Sequence, residues 1–269
     1  MLALRELVEH PSRTHLAFDI SLALDPDMAE RGLVGMLEHP EGRRVYDERP
    51  CLRDHLCDRD KLAEMPDGSL GRAYLEHVER YSLDPAKLVE LGRETDHQRP
   101  PVDAAVRWAR ERQEMAHDLW HVLTGYGADQ LGESTLLLFS LGQVGGYSNL
   151  VLSLGANARI LRQQGPRWIP YAWKAWQRGR RAICLGALPY EELLPLQLSV
   201  VREAVCVESP ERAHPGGVKG GDPIGGEGGI RTHGISDALR CSATAGSSAQ
   251  RKPSAARQGI RPTARSMHQ

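Results

Sequence analysis

The sequence predicts an all-α fold: a single domain resembling a helical bundle, followed by a disordered C-terminal tail. Three observations support this prediction. Apolar residues recur every three to four positions in one segment after another, no segment alternates as a half-buried strand does, and turn-forming residues separate the segments at intervals typical of a bundle. We place the domain at residues 1–207 and the tail at residues 208–269.

Eight segments have the apolar periodicity and the stop signals of helices. In chain order they are Ala29–Leu37, Ser69–Tyr81, Asp84–Gly92, Asp103–Leu123, Asp129–Leu141, Asn149–Gln163, Pro170–Ala187 and Tyr190–Val205. The turn markers between them are Pro40-Glu41-Gly42, Pro66-Asp67-Gly68, Pro100-Pro101, Gly145-Gly146 and Gly165-Pro166. Short connections of this kind are expected between neighbouring helices of a bundle.

The helix predicted at Asp103–Leu123 has the clearest boundaries. Two prolines precede Asp103, and aspartate is a favoured N-cap residue. The apolar residues of this helix can face a core. The charged residues on its opposite, solvated side are Arg107, Arg110, Glu111, Arg112 and Glu114.

Near the end of this helix the chain reads His117-Asp118-Leu119-Trp120-His121. Residues four apart lie on one face of a helix, so the two imidazoles can reach one ion. The carboxylate of Asp118 can reach the same ion or accept a hydrogen bond from a ligating imidazole. The negative end of the helix dipole also favours a cation at this place.

A fourth ligand can come from the next predicted helix. Gly125 and Gly127 supply a helix stop and a tight corner, Asp129 can cap a new helix, and Glu133 lies in its first turn. Two imidazoles and two carboxylates predict a divalent metal site. The predicted ligands are His117, Asp118, His121 and Glu133.

Zinc is the expected metal, with iron or manganese as the alternatives, because imidazole and carboxylate ligands suit all three. A metalloprotease is not expected. The zincin motif H-E-x-x-H has glutamate where this chain has Asp118, and no third histidine follows at the metzincin spacing. The sequence assigns no catalytic residue beyond the metal site and no organic cofactor.

The stretch from Ser134 to Ala158 contains no charged residue. A bilayer-spanning helix is not expected, because Gly145-Gly146 would break it. We expect two buried helices instead. In one interpretation both helices simply belong to the hydrophobic core. In the other, glycines leave gaps between the helices through which a prenyl chain can pass. Those glycines are Gly142, Gly145, Gly146 and Gly155.

The segment from Trp168 to Arg181 combines three tryptophans with several basic residues. Such a composition is typical of a membrane interface, where indoles lie at headgroup depth and cations meet anionic lipid. The alternative is that Trp173 and Trp176 anchor a core while the arginines face water.

The remaining observations concern the ends of the chain and its charge. Few large apolar residues follow Val207, so we expect a disordered tail without function. The N-terminal residues have neither the apolar core of a secretory signal nor the acid-free composition of a mitochondrial presequence. A formal net charge of −1 excludes a strongly basic nucleic-acid binder.

The segment HDLWHVLTGYGADQLGE, from His117 to Glu133, resembles the H-D-x-x-H-x11-E signature of the Coq-four family of ubiquinone (coenzyme Q) biosynthesis proteins. PDGSLGRAYLEHV, from Pro66 to Val78, is similar to another segment of that family. Further similarities lie at Glu41-Gly42-Arg43, at Arg49-Pro50 and in YEELLPLQLSVVREA, from Tyr190 to Ala204. The resemblance covers about residues 15–206.

The resemblance implies a metal-dependent decarboxylase and hydroxylase of ubiquinone biosynthesis. Such an enzyme would remove the ring carboxyl at C1 of a prenylated hydroxybenzoate intermediate and install a hydroxyl there, with the ion polarising the ring. The alternative is a non-catalytic scaffold that binds prenylated lipid and organises a coenzyme Q biosynthetic complex around a structural metal.

The expected partners follow from the same resemblance. They are a prenylated aromatic quinone precursor, other ubiquinone-biosynthesis proteins and a membrane surface contacted peripherally; a homodimer is left open. We expect the protein in the bacterial cytoplasm, at the inner membrane.

Overall fold

The computed structural model describes residues 15–94 and 103–215, and predictions for the rest of the chain, including most of the expected tail, lie outside these ranges. The helices are α1 His15–Leu24, α2 Met28–Leu37, α3 Pro40–Glu48, α4 Leu52–Leu56, α5 Arg59–Glu64, α6 Leu70–Tyr81, α7 Lys87–Glu94, α8 Ala104–Thr124, α9 Gln130–Val144, α10 Tyr147–Gln164, α11 Trp168–Arg181, α12 Tyr190–Leu193, α13 Leu198–Ala204 and α14 Pro210–Ala213. No strand occurs within the two described ranges, where Ser69 and Gln197 form an isolated bridge. The predicted all-α fold is confirmed.

The 21-residue helix α8 lies at the centre of the domain. It packs against α2, α6 and α7 and meets α9 at its end, while α9 lies along α11 and α10. The main core forms between α6, α8 and the segment that runs from Leu185 to Val207. Its largest fully buried side chains include Tyr74, Tyr190, Phe139, Leu119 and Leu123.

Both ends of α8 are firmly held. At its start the Asp103 carboxylate accepts a hydrogen bond of 2.7 Å from the Ala105 amide, as predicted. At its end Arg202 donates to the carbonyls of Val122 and Leu123, at 3.0 and 2.9 Å, and Arg178 donates to Thr124 at 2.9 Å. These bonds satisfy carbonyls that a helix end leaves unpaired. The two arginines also place positive charge at the negative end of the helix dipole.

Arg110 and Arg112 are both buried, whereas the sequence places them on the solvated side of this helix. Arg112 is the less exposed of the two. Its guanidinium forms two hydrogen bonds, of 2.7 and 2.8 Å, to the Glu191 carboxylate and donates to the Leu188 carbonyl at 3.1 Å. The prediction is wrong at this residue because α12 covers it. A bidentate arginine–carboxylate pair therefore links α8 to the start of α12.

The packing of α9 on α11 depends on two glycines. A Cβ at Gly179 would overlap the carbonyl of Phe139, and one at Gly142 would overlap the carbonyl of Trp176. The space beside Gly142 is thus filled by the main chain of α11, and the predicted gap for a prenyl chain is absent at this glycine. The predicted break at Gly145 and Gly146 does occur, with φ angles of +63° and +93°.

Helix α10 was predicted to be buried, but it exposes apolar residues to solvent. Tyr147, Leu150 and Leu154 are 74%, 40% and 62% exposed. Their spacing of three and four residues places them on one face of the helix. We call these three residues the α10 apolar face.

Within the described part of the chain, no helix combines the length and the hydropathy that crossing a bilayer requires.

The tryptophan- and arginine-rich segment forms α11, in which some of these side chains are buried and others are exposed. Trp168 is buried and donates a hydrogen bond of 2.9 Å to Asn157, whereas Trp173 is 57% exposed. Arg178 is buried and Arg180 is exposed over the ring of Trp176. Trp173 therefore does not anchor a core, contrary to the second interpretation.

Two helices predicted as continuous are interrupted. The first ends at Arg181, and the second divides into α12 and α13 around Pro195, which has no amide hydrogen to continue a helix. The carbonyls of Leu194 and Leu196 beside this proline accept hydrogen bonds of 2.8 Å from Gly71 and Leu70. They satisfy the first amides of α6.

Five helices, α1, α3 to α5 and α14, are not predicted by the sequence patterns. Pro40, interpreted as part of a turn, is instead the first residue of α3, where its missing amide hydrogen costs nothing. The domain boundary also lies later than residue 207. Ala213 in α14 and His214 after it are 5% and 9% exposed, so this segment packs on the domain.

Candidate metal centre

The structure brings the four predicted ligands together at the corner between α8 and α9. One ligand atom each of His117, Asp118 and His121 lies within 4.8 Å of the others. Glu133, in the first turn of α9, places one carboxylate oxygen 3.3 Å from Nε2 of His121 and the other 3.9 Å from Nε2 of His117. Three of the predicted ligands therefore form one cluster, and Glu133 lies beside its two histidines.

The corner that joins the two helices has local causes. Gly125 ends α8 in the left-handed conformation, with φ of +72°, and the Asp129 carboxylate caps α9 by accepting from the Gly132 amide at 2.7 Å. Gly132 lies against the main chain of Gly127, where any Cβ would overlap it. This close approach allows the first turn of α9, and Glu133 with it, to reach the histidines of α8.

His121 is oriented by the main chain of the same corner. Its ring is fully buried, and its Nδ1 lies 3.0 Å from the carbonyl oxygen of Tyr126. A carbonyl only accepts hydrogen bonds, so Nδ1 carries a proton, and Nε2 is the nitrogen that faces Glu133. Hydrogen bonding of this kind is typical of metal-ligating histidines.

The 3.3 Å separation between His121 Nε2 and the Glu133 oxygen suits two ligands of one ion. Atoms held about 2.0–2.1 Å from a zinc ion at the tetrahedral angle are about 3.3 Å apart. Without a cation or a proton between them, a lone pair would face a carboxylate. The donor set thus fits a divalent metal.

His117 has one nitrogen directed at each carboxylate. Its Nδ1 lies 3.4 Å from Asp118 and its Nε2 is the atom nearest Glu133. Burial alone would lower the pKa of His117, but the hydrogen bond to Asp118 and the charge of Glu133 raise it above its usual value. Asp118 can therefore either bind the ion or orient His117 toward it.

Both carboxylates are ionised at neutral pH. Burial would raise the pKa of Glu133, but the neighbouring His121 and His117 lower it to about 2. Burial would likewise raise the pKa of Asp118. The hydrogen bond and charge of His117 outweigh that effect, so the pKa of Asp118 is lowered. Ionised carboxylates are the form that binds a metal.

One residue near this site was not found from the sequence. His77 of α6 is 1% exposed, and its ring stacks on that of His121 with centroids 5.5 Å apart. Burial, together with the nearby His121, lowers its pKa to about 4. A signal did exist: in the helix predicted at Ser69–Tyr81, position 77 follows Tyr74 by three residues on the buried face.

Further contacts extend from Tyr126 to the end of the domain. The Tyr126 hydroxyl lies 2.9 Å from Nε2 of His214, and Arg178 lies over its ring at 4.9 Å. His214 in turn stacks on Tyr171 with centroids 3.8 Å apart. The residue whose carbonyl orients His121 is thus fixed by the segment after residue 207.

Comparison with known proteins gives a consistent family. The family model described as "Coenzyme Q (ubiquinone) biosynthesis protein Coq4" matches residues 10–211. A mitochondrial ubiquinone biosynthesis protein COQ4 homolog from Homo sapiens is 31% identical over 186 residues, which are 65% of this chain and 64% of the relative. The homolog from Rattus norvegicus is 29% identical over 181 residues, 66% of this chain and 64% of the relative.

The mitochondrial COQ4 of Scheffersomyces stipitis is 27% identical over 205 residues, covering 75% of this chain and 61% of the relative. The chain thus matches less than two thirds of the length of these relatives. A crystal structure from Nostoc punctiforme, of a candidate ubiquinone biosynthesis protein by its name, matches with a TM-score of 0.54 and 22% identity. It covers 77% of this chain and 96% of the other, and at this identity it supports the fold alone.

Proposed function

The chain belongs to the Coq4 family of coenzyme Q (ubiquinone) biosynthesis proteins, and we propose that it acts there as a metal-dependent enzyme. The proposed reaction replaces the C1 carboxyl of a prenylated hydroxybenzoate intermediate by a hydroxyl and releases carbon dioxide. This is a two-electron oxidation, so an oxidant such as molecular oxygen has to enter from solution. The observation that carries the proposal is the pairing of His121 Nε2 with Glu133 at 3.3 Å.

The chain's own residues would hold and orient a divalent ion. His117 and His121 would supply imidazoles from α8, Glu133 a carboxylate from α9, and Asp118 either a further carboxylate or the hydrogen bond that orients His117. The ion would supply positive charge to a carboxylate or phenolate oxygen of the substrate. Zinc is our first expectation, and iron or manganese the alternatives, because the ligands are nitrogen and oxygen atoms without a thiolate.

Elemental analysis tests the metal part of the proposal. We expect near-stoichiometric divalent metal in the unaltered protein and little in a His117→Ala, His121→Ala double variant, because two of the ligands are lost. His55→Ala, which changes an exposed histidine away from the site, is the control and should keep its metal. Equal metal content in all three proteins would refute the site.

An activity assay tests the reaction itself. Metal-loaded protein, oxygen and a prenylated 4-hydroxybenzoate derivative with a free ring carboxyl should yield carbon dioxide and the C1-hydroxylated ring. The double-histidine variant and the chelator-treated protein should yield neither. Product formation that is independent of metal would exclude the proposed mechanism.

The second candidate, a non-catalytic scaffold, is favoured by the α10 apolar face. Tyr147 and Leu154 expose large apolar areas, which a single protein molecule seldom leaves in water. In this alternative the face contacts a prenylated lipid, the surface of the bacterial inner membrane or another ubiquinone-biosynthesis protein. Flotation with vesicles should then be lost in Leu154→Glu, while the metal content stays unchanged.

A further inference from the structure

His77 occupies a place that stability alone does not explain. Its ring is 1% exposed, and in the described part of the chain neither ring nitrogen has a hydrogen-bond partner. A buried polar group without a partner destabilises a folded protein, and an aromatic ring of similar shape such as phenylalanine would avoid that cost. Some other requirement is therefore needed to account for an imidazole here.

The position of the ring relates it to the metal centre. It stacks on His121 with an interplanar angle of 19° and a centroid separation of 5.5 Å. On the other side it contacts Tyr81, with centroids 5.0 Å apart. Tyr74, one turn earlier on α6, has a fully buried hydroxyl that also has no partner among the residues described. The face of α6 toward the site therefore carries two unpartnered polar groups.

The position of His77 suits a hydrogen bond to a bound molecule better than direct coordination of the metal ion. Nε2 of His117 and Nε2 of His121 lie 3.9 and 3.3 Å from Glu133, whereas no such contact joins His77 to Glu133 or Asp118 in the described part of the chain. A metal ligand must approach the ion to about 2.0–2.2 Å. A nitrogen that donates to an oxygen held on the ion lies on the order of 4–5 Å from the ion. The ring of His77 is stacked on that of His121, one ring away from the ligand, so it fits the second arrangement: a hydrogen bond to an oxygen held on the ion.

We infer that His77 contacts the substrate: its ring N–H donates a hydrogen bond to an oxygen of an aromatic carboxylate or phenolate held at the metal centre. A neutral imidazole offers one donor and one acceptor, and a hydroxybenzoate ring offers both carboxylate and hydroxyl oxygens. The inference rests on the proposed function, since it requires an ion at His117, His121 and Glu133. It adds a residue from α6 to a site otherwise formed by α8 and α9.

The experiment uses protein loaded with Co²⁺, with 4-hydroxybenzoate as the probe. Three quantities are measured for each variant: the Co²⁺ affinity by chelator competition, the Kd of the probe from the Co²⁺ absorption spectrum, and Tm. For His77→Phe we expect Co²⁺ affinity within about twofold of the unaltered protein, a probe Kd raised about tenfold, and a higher Tm. His77→Gln, which keeps a donor and an acceptor, should recover most of the probe affinity.

Val78→Ala is the matched control on the same helix, because it removes buried apolar atoms and no polar group. It should lower Tm and leave the probe Kd unchanged. The inference is overturned if His77→Phe lowers Co²⁺ affinity strongly, which would make His77 a ligand. It is equally overturned if His77→Phe leaves the probe Kd unchanged, or if Val78→Ala raises that Kd as much.

Failure of the proposed function has a separate signature. If the unaltered protein binds no Co²⁺, the metal centre itself is wrong and the inference falls with it. If it binds Co²⁺ and 4-hydroxybenzoate, and His77→Phe binds the probe equally well, only the role of His77 is refuted.

Discussion

Glu133 is the residue on which the metal centre most depends, because it alone comes from α9. We predict that Glu133→Gln lowers metal affinity at least about tenfold and abolishes the proposed decarboxylation, since the amide keeps the shape but loses the charge. Its side chain is 46% exposed, so Tm should change little. Chelator competition and thermal unfolding measure the two effects. Glu203→Gln, an exposed glutamate of α13, is the control, and unchanged metal affinity in Glu133→Gln would contradict the prediction.

His214 gives the fold a pH dependence. Burial, with the charges of Arg178 and Lys174, lowers its pKa to about 3. In the unfolded chain a histidine takes up a proton near pH 6.5, so between about pH 6.5 and 3 the unfolded state holds more protons and stability falls as the pH falls. The contribution of His214 is complete above about pH 6.5.

We therefore predict that His214→Phe loses less stability than the unaltered protein when the pH is lowered from 7 to 5. The difference should be about 2 kcal/mol in the free energy of unfolding, since about one and a half pH units separate 6.5 from 5. Urea unfolding at both pH values measures it. Equal losses in the two proteins would show that His214 is protonated in the folded state at pH 5.

The four predicted ligands could be found from the sequence because their causes are local. A helical spacing of four places His117 beside His121, and a glycine corner returns Glu133 to them within a few residues. That these side chains bind a metal stays a prediction. His77 could not be found in this way, because it comes from α6, which is distant in sequence. The hydrogen bond from His121 to the carbonyl of Tyr126 could not be predicted either. Every residue has a main-chain carbonyl, so the residue type gives no signal.

At the scale of the elements, the contact between α9 and α11 tolerates little change. We predict that Gly179→Ala destabilises the protein by about 2 kcal/mol, because the added Cβ would overlap the Phe139 carbonyl and force the helices apart. Gly35→Ala in α2 is the matched control, since nothing lies within 4 Å of its Cβ position. It should stabilise by about 0.4–1 kcal/mol.

Urea unfolding of the two glycine variants measures these free energies. A destabilisation of equal size in both would mean that helical glycine itself, and not the contact with α11, decides the result.

Helix boundaries were predicted well where a capping side chain sets them. Asp103 and Asp129 cap α8 and α9 as expected. The prediction failed where a tertiary contact ends a helix. The interruption at Pro195 has a local signal in the proline, but its carbonyls are bonded to the first amides of α6, far away in sequence. The end of α11 at Arg181 has no such signal.

For the whole molecule, the prediction concerns the C-terminal boundary. Deletion after Pro215 should leave Tm unchanged, because few large apolar residues follow. Deletion after Val207 should lower Tm by about 5 °C, because it removes buried Ala213 and the hydrogen bond between His214 and Tyr126. Thermal unfolding in reducing buffer, which keeps cysteines as thiols, measures both. Equal Tm values for the two truncated proteins would refute the packing of residues 208–214.

Composition could not place this boundary correctly. Residues 208–215 are as poor in large apolar side chains as the rest of the expected tail. They pack because single residues fit preformed places: Pro210 lies against Gly125, and His214 against Tyr171. Contacts of this kind between single residues form only on the folded domain, and they leave no periodic pattern in the sequence.

The late position of these residues has a consequence for biosynthesis. A ribosome releases the chain from its N-terminus, so α8 and its ligands emerge long before Arg178, Arg202 and His214. Until those residues appear, the carbonyls at the end of α8 lack their arginine partners and Tyr126 lacks His214. The nascent chain therefore carries all four candidate ligands without the groups that hold their helix and orient His121. If the site binds a metal as proposed, loading is expected to follow the emergence of these groups, and an occupied site would then mark a completely synthesised domain.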